Sequence, residues 1–177
     1  MDRAGVSALI AQIPDYPLPG VIFKDVTPIS ADPDAALWVN TEIANRFTDA
    51  GITHIVGVEA RGFILGASLA AHMHLGFVPI RKSGKLPYQT ISEKYGLEYG
   101  SDEIEVHVDA FLPNQKVLIV DDVLATGGTL LAAIELTKRC GAEVAGVLVL
   151  MELGFLEGRK LILDKYPDLP ITSLVTV

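Results

Sequence analysis

Four short, mainly apolar runs recur along the chain, at residues 53–58, 77–80, 117–120 and 144–150. Their length and lack of strict alternation suit strands buried on both faces, as in a parallel sheet. Between them, apolar positions return at three- and four-residue steps. Asp32 and Pro33 make an N-cap and a first helical position. Ala36, Val39, Ile43 and Phe47 follow on one face, and Gly51 stops that helix. The spacing predicts further helices over about 63–74, ended by Gly76, and about 130–140, ended by Gly141. Near the start, Val6, Leu9, Ile10 and Ile13 predict a short amphipathic helix over about 3–13. Pro14, Pro17, Pro19 and Gly20 then impose an extended arm leading to residues 21–25. Pro87, Gly96 and Gly100 make 86–100 a long mobile loop or a loose hairpin. The alternation of 103–108 predicts an antiparallel edge strand, and 154–160 is expected to turn the chain back.

Strands alternating with helices predict an α/β fold: a doubly wound, mainly parallel sheet with helices on both faces. At 177 residues and 19.0 kDa the chain suits a single domain, 1–177. Within it, about 1–30 would form an N-terminal hood or arm and about 82–100 a mobile catalytic loop. Ligands of such sheets sit beyond the carboxyl ends of the strands. Three loops are expected at that edge: 59–62, 81–85 and 121–129.

Composition narrows the partners. The net charge of −8 disfavours broad attraction to nucleic acid or an anionic membrane surface. No apolar run reaches the roughly 20 residues that cross a bilayer. A single cysteine, Cys140, excludes an internal disulfide and, with no basic or apolar leader at the start, suits a cytoplasmic protein. Yet residues 60–92 contain no Asp or Glu, while Arg61, Arg81, Lys82 and Lys85 fall inside that stretch. A cationic stretch in an acidic chain fits a pocket for a small polyanion. His54, His72, His74 and His107 form no ligand cluster with carboxylates or Cys, so no direct protein metal site is expected.

The most informative stretch is 116–129, KVLIVDDVLATGGT. An apolar strand runs into Asp121 and Asp122, then into Ala125, Thr126, Gly127, Gly128 and Thr129, and a helix begins. A turn of small residues at a helix start aims backbone N–H groups at one point, where the helix dipole also favours an anion. Acids repel phosphate but accept hydrogen bonds from hydroxyls. A phosphate cup beside two acids therefore points to a phosphorylated sugar. The loop lacks the Lys of a P-loop and the spacing of a dinucleotide fold.

This run resembles the phosphoribosyl pyrophosphate (PRPP) signature of the type I phosphoribosyltransferases. Further blocks at 19–25, 59–63, 81–87 and 97–100 are similar to those of the adenine phosphoribosyltransferase family, in the same order. The resemblance implies transfer of phosphoribose from PRPP to adenine, giving AMP and pyrophosphate, with Mg²⁺ held mainly by substrate and water, in a homodimer. By matching position, it implies that residues 125–129 bind the 5′-phosphate and that Asp121 and Asp122 bind the ribose. Ala60, Arg61, Arg81, Lys82 and Lys85 would serve the pyrophosphate. Ile22, Phe23, Lys24 and Val123 would hold the base, with Phe23 and Val123 on its two faces. Glu98, Tyr99 and Arg61 would be catalytic, Glu98 through proton transfer at the purine. This chain has Val123 and Lys24 where relatives often have Leu and Arg.

Other functions are compatible with the fold. A sensor that binds PRPP without catalysis would have little use for Glu98 and the basic 81–85 loop. Xanthine, hypoxanthine or orotate as acceptor would use the same cup. A phosphohydrolase would need an activated nucleophile or a two-metal carboxylate set, and neither is visible.

Overall fold

The computed structural model describes residues 1–97 and 100–177. In chain order the elements are α1 (Arg3–Ala8), β1 (Ala11–Pro14), β2 (Ile22–Asp25), α2 (Thr27–Ala31), α3 (Pro33–Phe47), β3 (His54–Val58), α4 (Arg61–Met73) and β4 (Gly76–Lys82). There follow β5 (Thr90–Leu97), β6 (Gly100–His107), β7 (Lys116–Leu124), α5 (Gly128–Arg139), β8 (Glu143–Glu152), α6 (Gly158–Lys165) and β9 (Ile171–Thr176). A single turn of 3₁₀ helix at Gly154–Leu156 precedes α6.

Seven strands form one sheet in the order β5-β6-β4-β3-β7-β8-β9. The neighbours from β4 to β9 run parallel, while β6 pairs antiparallel with both β4 and β5. Alternate residues of β7 feed two cores. Val117 and Ile119 pack with Leu130, Ile134 and Leu136 of α5 and Ile162 of α6. Leu118 and Val120 join Val39 and Ile43 of α3 and Leu65 and Leu69 of α4. Both faces of the sheet are covered, which is why these strands read as near-continuous apolar runs. From β3 the chain crosses through α4 to β4 on one side, and from β7 through α5 to β8 on the other. The strand order therefore reverses between β3 and β7, which opens a crevice beyond their carboxyl ends.

Several sequence expectations need correction. The first helix ends at Ala8, and residues 11–14 are a strand paired antiparallel with β2, Ile13 opposite Phe23. Ile13 is largely exposed there, so its apolar spacing reports ribbon pairing and not a buried helical face. Of the two readings of 86–100 the hairpin is the one that agrees: residues 90–97 are a strand paired antiparallel with β6, leaving only 83–89 irregular before it. That strand takes the sheet edge, so the strand of residues 103–108 lies inside it. Strand β7 extends through Leu124, with Asp121 and Asp122 inside the strand and not in the loop. The short α2, the closing α6 and the final β9 have no counterpart in the pattern reading. Elsewhere prediction and structure agree closely, as for α3, where Asp32 accepts a bond from Ala35 N at 2.8 Å.

Candidate active site

The turn after β7 follows from its small residues. Gly127 stands at φ +86°, a left-handed conformation that glycine adopts without penalty. A Cβ there would also run into the backbone of Gly158, whose own Cα side faces Ala125 O and Gly127 N. Two backbones thus touch, and the start of α6 buttresses the turn from behind. Among the described residues, none of the amide N–H groups of residues 125–129 is taken up by another protein group. Ala125, Thr126, Gly127 and Thr129 line a cup of about 60 Å³ together with Asp121, Val123 and Leu130. Unspent amides at the start of a 12-residue helix make an anion site.

Of the two acids of β7, Asp121 lines the cup and Asp122 turns to Arg61. Asp121 is buried, and its Oδ1 accepts the N–H of Asp122 at 2.8 Å. Burial, followed by the neighbouring Asp122 charge, pushes its pKa well above the ordinary carboxylate range. Asp122 accepts from Nε of Arg61 in a short ion pair. The first turn of α4 comes up against them: a Cβ on Gly62 would lie 2.9 Å from Asp121 Oδ1. The Glu59–Ala60 peptide that leads into α4 is cis.

Arg61 joins this region to a second cavity. Its Cζ lies 5.5 Å from the centroid of the Phe23 ring. Phe23 in turn meets Tyr16 edge-on, with centroids 5.2 Å apart. Ile13, Tyr16, Phe23, Asp25 and Arg61 line a cleft of about 320 Å³ under the β1–β2 ribbon. Ile22 is exposed, while Lys24 and Val123 are half-buried. Phe23 and Val123 belong to different cavities, on the two sides of the Arg61–Asp122 pair.

The cations after β4 form a third group. Arg81 donates twice to Glu59, at 3.2 and 3.0 Å, and once to Lys85 O at 3.0 Å. The Arg81 guanidinium, then the Lys82 N–H, holds the Glu59 carboxyl below its usual range against the cost of burial. Lys82 Nζ donates to Asp102 at 2.8 Å. Lys85 is exposed, and among the described residues its ammonium meets no acid.

Two features of this loop escaped the sequence reading. Buried Glu105 of β6 accepts the N–H groups of Lys85 and Leu86, each at 2.9 Å, and the Thr90 hydroxyl at 3.1 Å. Gly158 backs the cup from 31 residues downstream of Gly127. A glycine in a turn (154–160) was the only available signal for Gly158, and the alternating 103–108 pattern hid Glu105 among solvent-facing acids. Glu98 and Tyr99 lie outside the described residues.

Among the described residues, no cluster of three or more His, Cys, Asp or Glu side chains is arranged to hold a metal. No described helix is long and apolar enough to cross a membrane.

Residues 26–170 match the phosphoribosyl transferase domain family. An adenine phosphoribosyltransferase of Streptomyces clavuligerus is 57% identical over 150 residues, covering 85% of this chain and 84% of the relative. The crystal structure of adenine phosphoribosyltransferase from Rhodothermus marinus is similar with a TM-score of 0.92 at 46% identity, covering 99% of this chain and 98% of that one. That of the Giardia lamblia enzyme complexed with 9-deazaadenine has a TM-score of 0.93 at 40% identity, covering 100% and 98%.

Proposed function

The chain belongs to the adenine phosphoribosyltransferase family, and from that premise we propose how its own residues carry the reaction. It transfers phosphoribose from PRPP to adenine, releasing pyrophosphate and forming AMP. The observation that carries the assignment of roles is the cup of unspent amides at residues 125–129, set beside the acids of β7.

The 5′-phosphate sits on the amides of residues 125–129, with the Thr126 and Thr129 hydroxyls as further donors. Asp121 and Asp122 accept from the ribose hydroxyls. Arg61, Arg81, Lys82, Lys85 and the backbone at Ala60 draw charge from the pyrophosphate as its bond to C1 breaks. Positive charge then develops at C1 and the ring oxygen, and adenine nitrogen closes on C1. Catalysis rests on positioning and charge complementarity, with no covalent enzyme intermediate. The donor set fits a Mg²⁺ ion held by substrate oxygens and water. Asp122 pairs with Arg61 and Asp121 is buried, so these two acids of β7 do not form an open chelating pair for it. When bound, the ion neutralises pyrophosphate charge. Glu98, assigned by its place in the sequence, handles the purine proton, with Tyr99 beside it.

Adenine enters the cleft under the ribbon, against Phe23 and beside Arg61, with Ile22 and Lys24 flanking Phe23 on β2; Val123, expected on the base's other face, lines the phosphate cup instead. The backbone of Val21 is unavailable to it, because its N–H donates to Leu18 O and its C=O accepts from Tyr16 N. On an antiparallel ribbon every second residue turns its N–H and C=O away from its partner. The purine edge is therefore read by residues 22–24. Adenine offers a donor beside an acceptor at that edge, and a 6-oxopurine reverses them. Discrimination against hypoxanthine of about 10⁴ is expected from the groups left unpaired.

The test is a steady-state panel of adenine, hypoxanthine, xanthine, guanine and orotate with PRPP and Mg²⁺. AMP formation with adenine alone supports the reading, and comparable turnover of hypoxanthine would remove it. We further propose that the chain acts as a cytoplasmic homodimer, read by sedimentation at assay concentrations.

A further inference from the structure

Three of the cations assigned to pyrophosphate are already held by carboxylates of the chain: Arg61 by Asp122, Arg81 by Glu59 and Lys82 by Asp102. These pairs are not equivalent. Arg81 gives Glu59 two bonds, and the side chains are 32% and 16% exposed. Lys82 gives Asp102 one, and the exposures are 57% and 27%. A forked, half-buried guanidinium pair is a fixed part of the loop, whereas a single exposed ammonium contact exchanges readily.

Asp102 itself is well anchored. Its Oδ1 accepts the Glu103 N–H at 2.9 Å, and its Oδ2, besides Lys82 Nζ, accepts the Tyr95 hydroxyl at 3.1 Å. Tyr95 rests on the phosphate cup: its Cδ2 lies 3.5 Å from where a Cβ on Gly128 would stand. One end of the Lys82–Asp102 contact is therefore fixed to the cup, and the other is a flexible ammonium at the mouth of the site.

We propose that Asp102 is a positioning residue acting as a resident anion, which occupies Lys82 when no pyrophosphate is bound and takes it back as pyrophosphate leaves. The proposal rests on the reading that this loop serves the pyrophosphate of PRPP. Its consequence is that the chain weakens its own hold on the product. Pyrophosphate must displace Asp102 to gain Lys82, and an intact competitor speeds its departure. The 5′-phosphate and ribose contacts anchor PRPP independently, so the competitor costs the substrate proportionally less.

The experiment is calorimetric titration of Mg²⁺–pyrophosphate into the wild-type protein, Asp102→Asn, Asp102→Ala, Lys82→Met and the Asp102→Asn/Lys82→Met double variant. Thermal unfolding checks that each is folded. Removing the carboxylate should tighten pyrophosphate about two- to fivefold, the range of an exposed pair. Product inhibition by pyrophosphate should strengthen by the same factor while KM for adenine stays put. The gain should vanish in the double variant, because without Lys82 nothing is released. Unchanged or weaker pyrophosphate binding in both Asp102 variants would overturn the proposal, as would a gain that persists without Lys82. A wild-type chain that binds pyrophosphate but forms no AMP would overturn the functional reading and leave this inference standing.

Discussion

The cup after β7 and the cation loop after β4 both meet anions, yet they are built in opposite ways. The cup is made of backbone: five amides held by a glycine turn and a second glycine behind it. The cation loop is made of side chains, and Arg81 and Lys82 are each placed by an acid from another part of the chain. A backbone cup has no alternative state, since its amides point where φ and ψ put them. A paired cation has two states, one with its internal acid and one with the ligand. Under the proposed assignment of roles, the difference separates fixed recognition of the 5′-phosphate, which both substrate and product keep, from reversible recognition of the pyrophosphate, which must leave.

Substitutions should expose that contrast, the largest loss coming from the backbone. Gly158→Ala places a methyl against Ala125 O and Gly127 N, where no flexible side chain can yield. Even a displacement of about 1 Å of the cup should lower kcat/KM for PRPP about 100-fold or more. Gly154→Ala in the same turn meets only ordinary contacts and should be near neutral. Equal effects of the two would break the comparison.

The next loss should come from Arg81→Met. It removes charge-assisted bonds and strands the Glu59 carboxylate, raising KM for PRPP about 10- to 100-fold. Lys82→Met, on the more exposed pair, should cost only about two- to fivefold. If Lys82→Met cost more than Arg81→Met, the ranking of fixed and exchangeable cations would be wrong.

Smallest, and distinct in sign, are the effects of pH on stability. Asp121 has a raised pKa, so its favourable contribution is full below the ordinary Asp value and is lost as pH rises through the raised one. Asp121→Asn keeps an acceptor for Asp122 N without the charge. It should raise Tm at neutral pH by about 2–4 °C, with the gain shrinking toward acid, while weakening ribose binding. Glu59 has a lowered pKa, so its contribution is present above the ordinary Glu value and lost as pH falls through the lowered one. Glu59→Gln should be destabilising at neutral pH, with a deficit that closes in acid. Melting curves of the three proteins from about pH 2.5 to 8, a range that reaches below the ordinary Asp and Glu values, check both slopes. Parallel curves would show that neither acid has the environment described.

The cup was legible because its chemistry is local: Ala125, Thr126, Gly127, Gly128 and Thr129 are consecutive, and so are the acids before them. The parallel strands and α3 to α5 were legible for the same reason, through periodicity and caps. Residues 11–14 were misread because their partner strand begins eight residues after they end. Their apolar spacing fits either period when taken alone. Glu105, Asp102 and Glu59 had no assigned role in the sequence until the sheet order put them beside the 81–85 loop.

The sequence by itself therefore determined the strand–helix alternation, the turn at which a phosphate can be held and the position of the acids before it, since each depends on neighbours a few residues apart. Only the tertiary structure decided that β7 runs on past Asp121 and Asp122 to Leu124, that Gly158 closes the cup and that Arg61, Arg81 and Lys82 each stand by an acid. Those facts come from residues 20 to 60 positions apart meeting at one sheet edge. The physical reason is that backbone conformation is set by local sterics, while ion pairing and burial are set by whichever elements the sheet order makes adjacent.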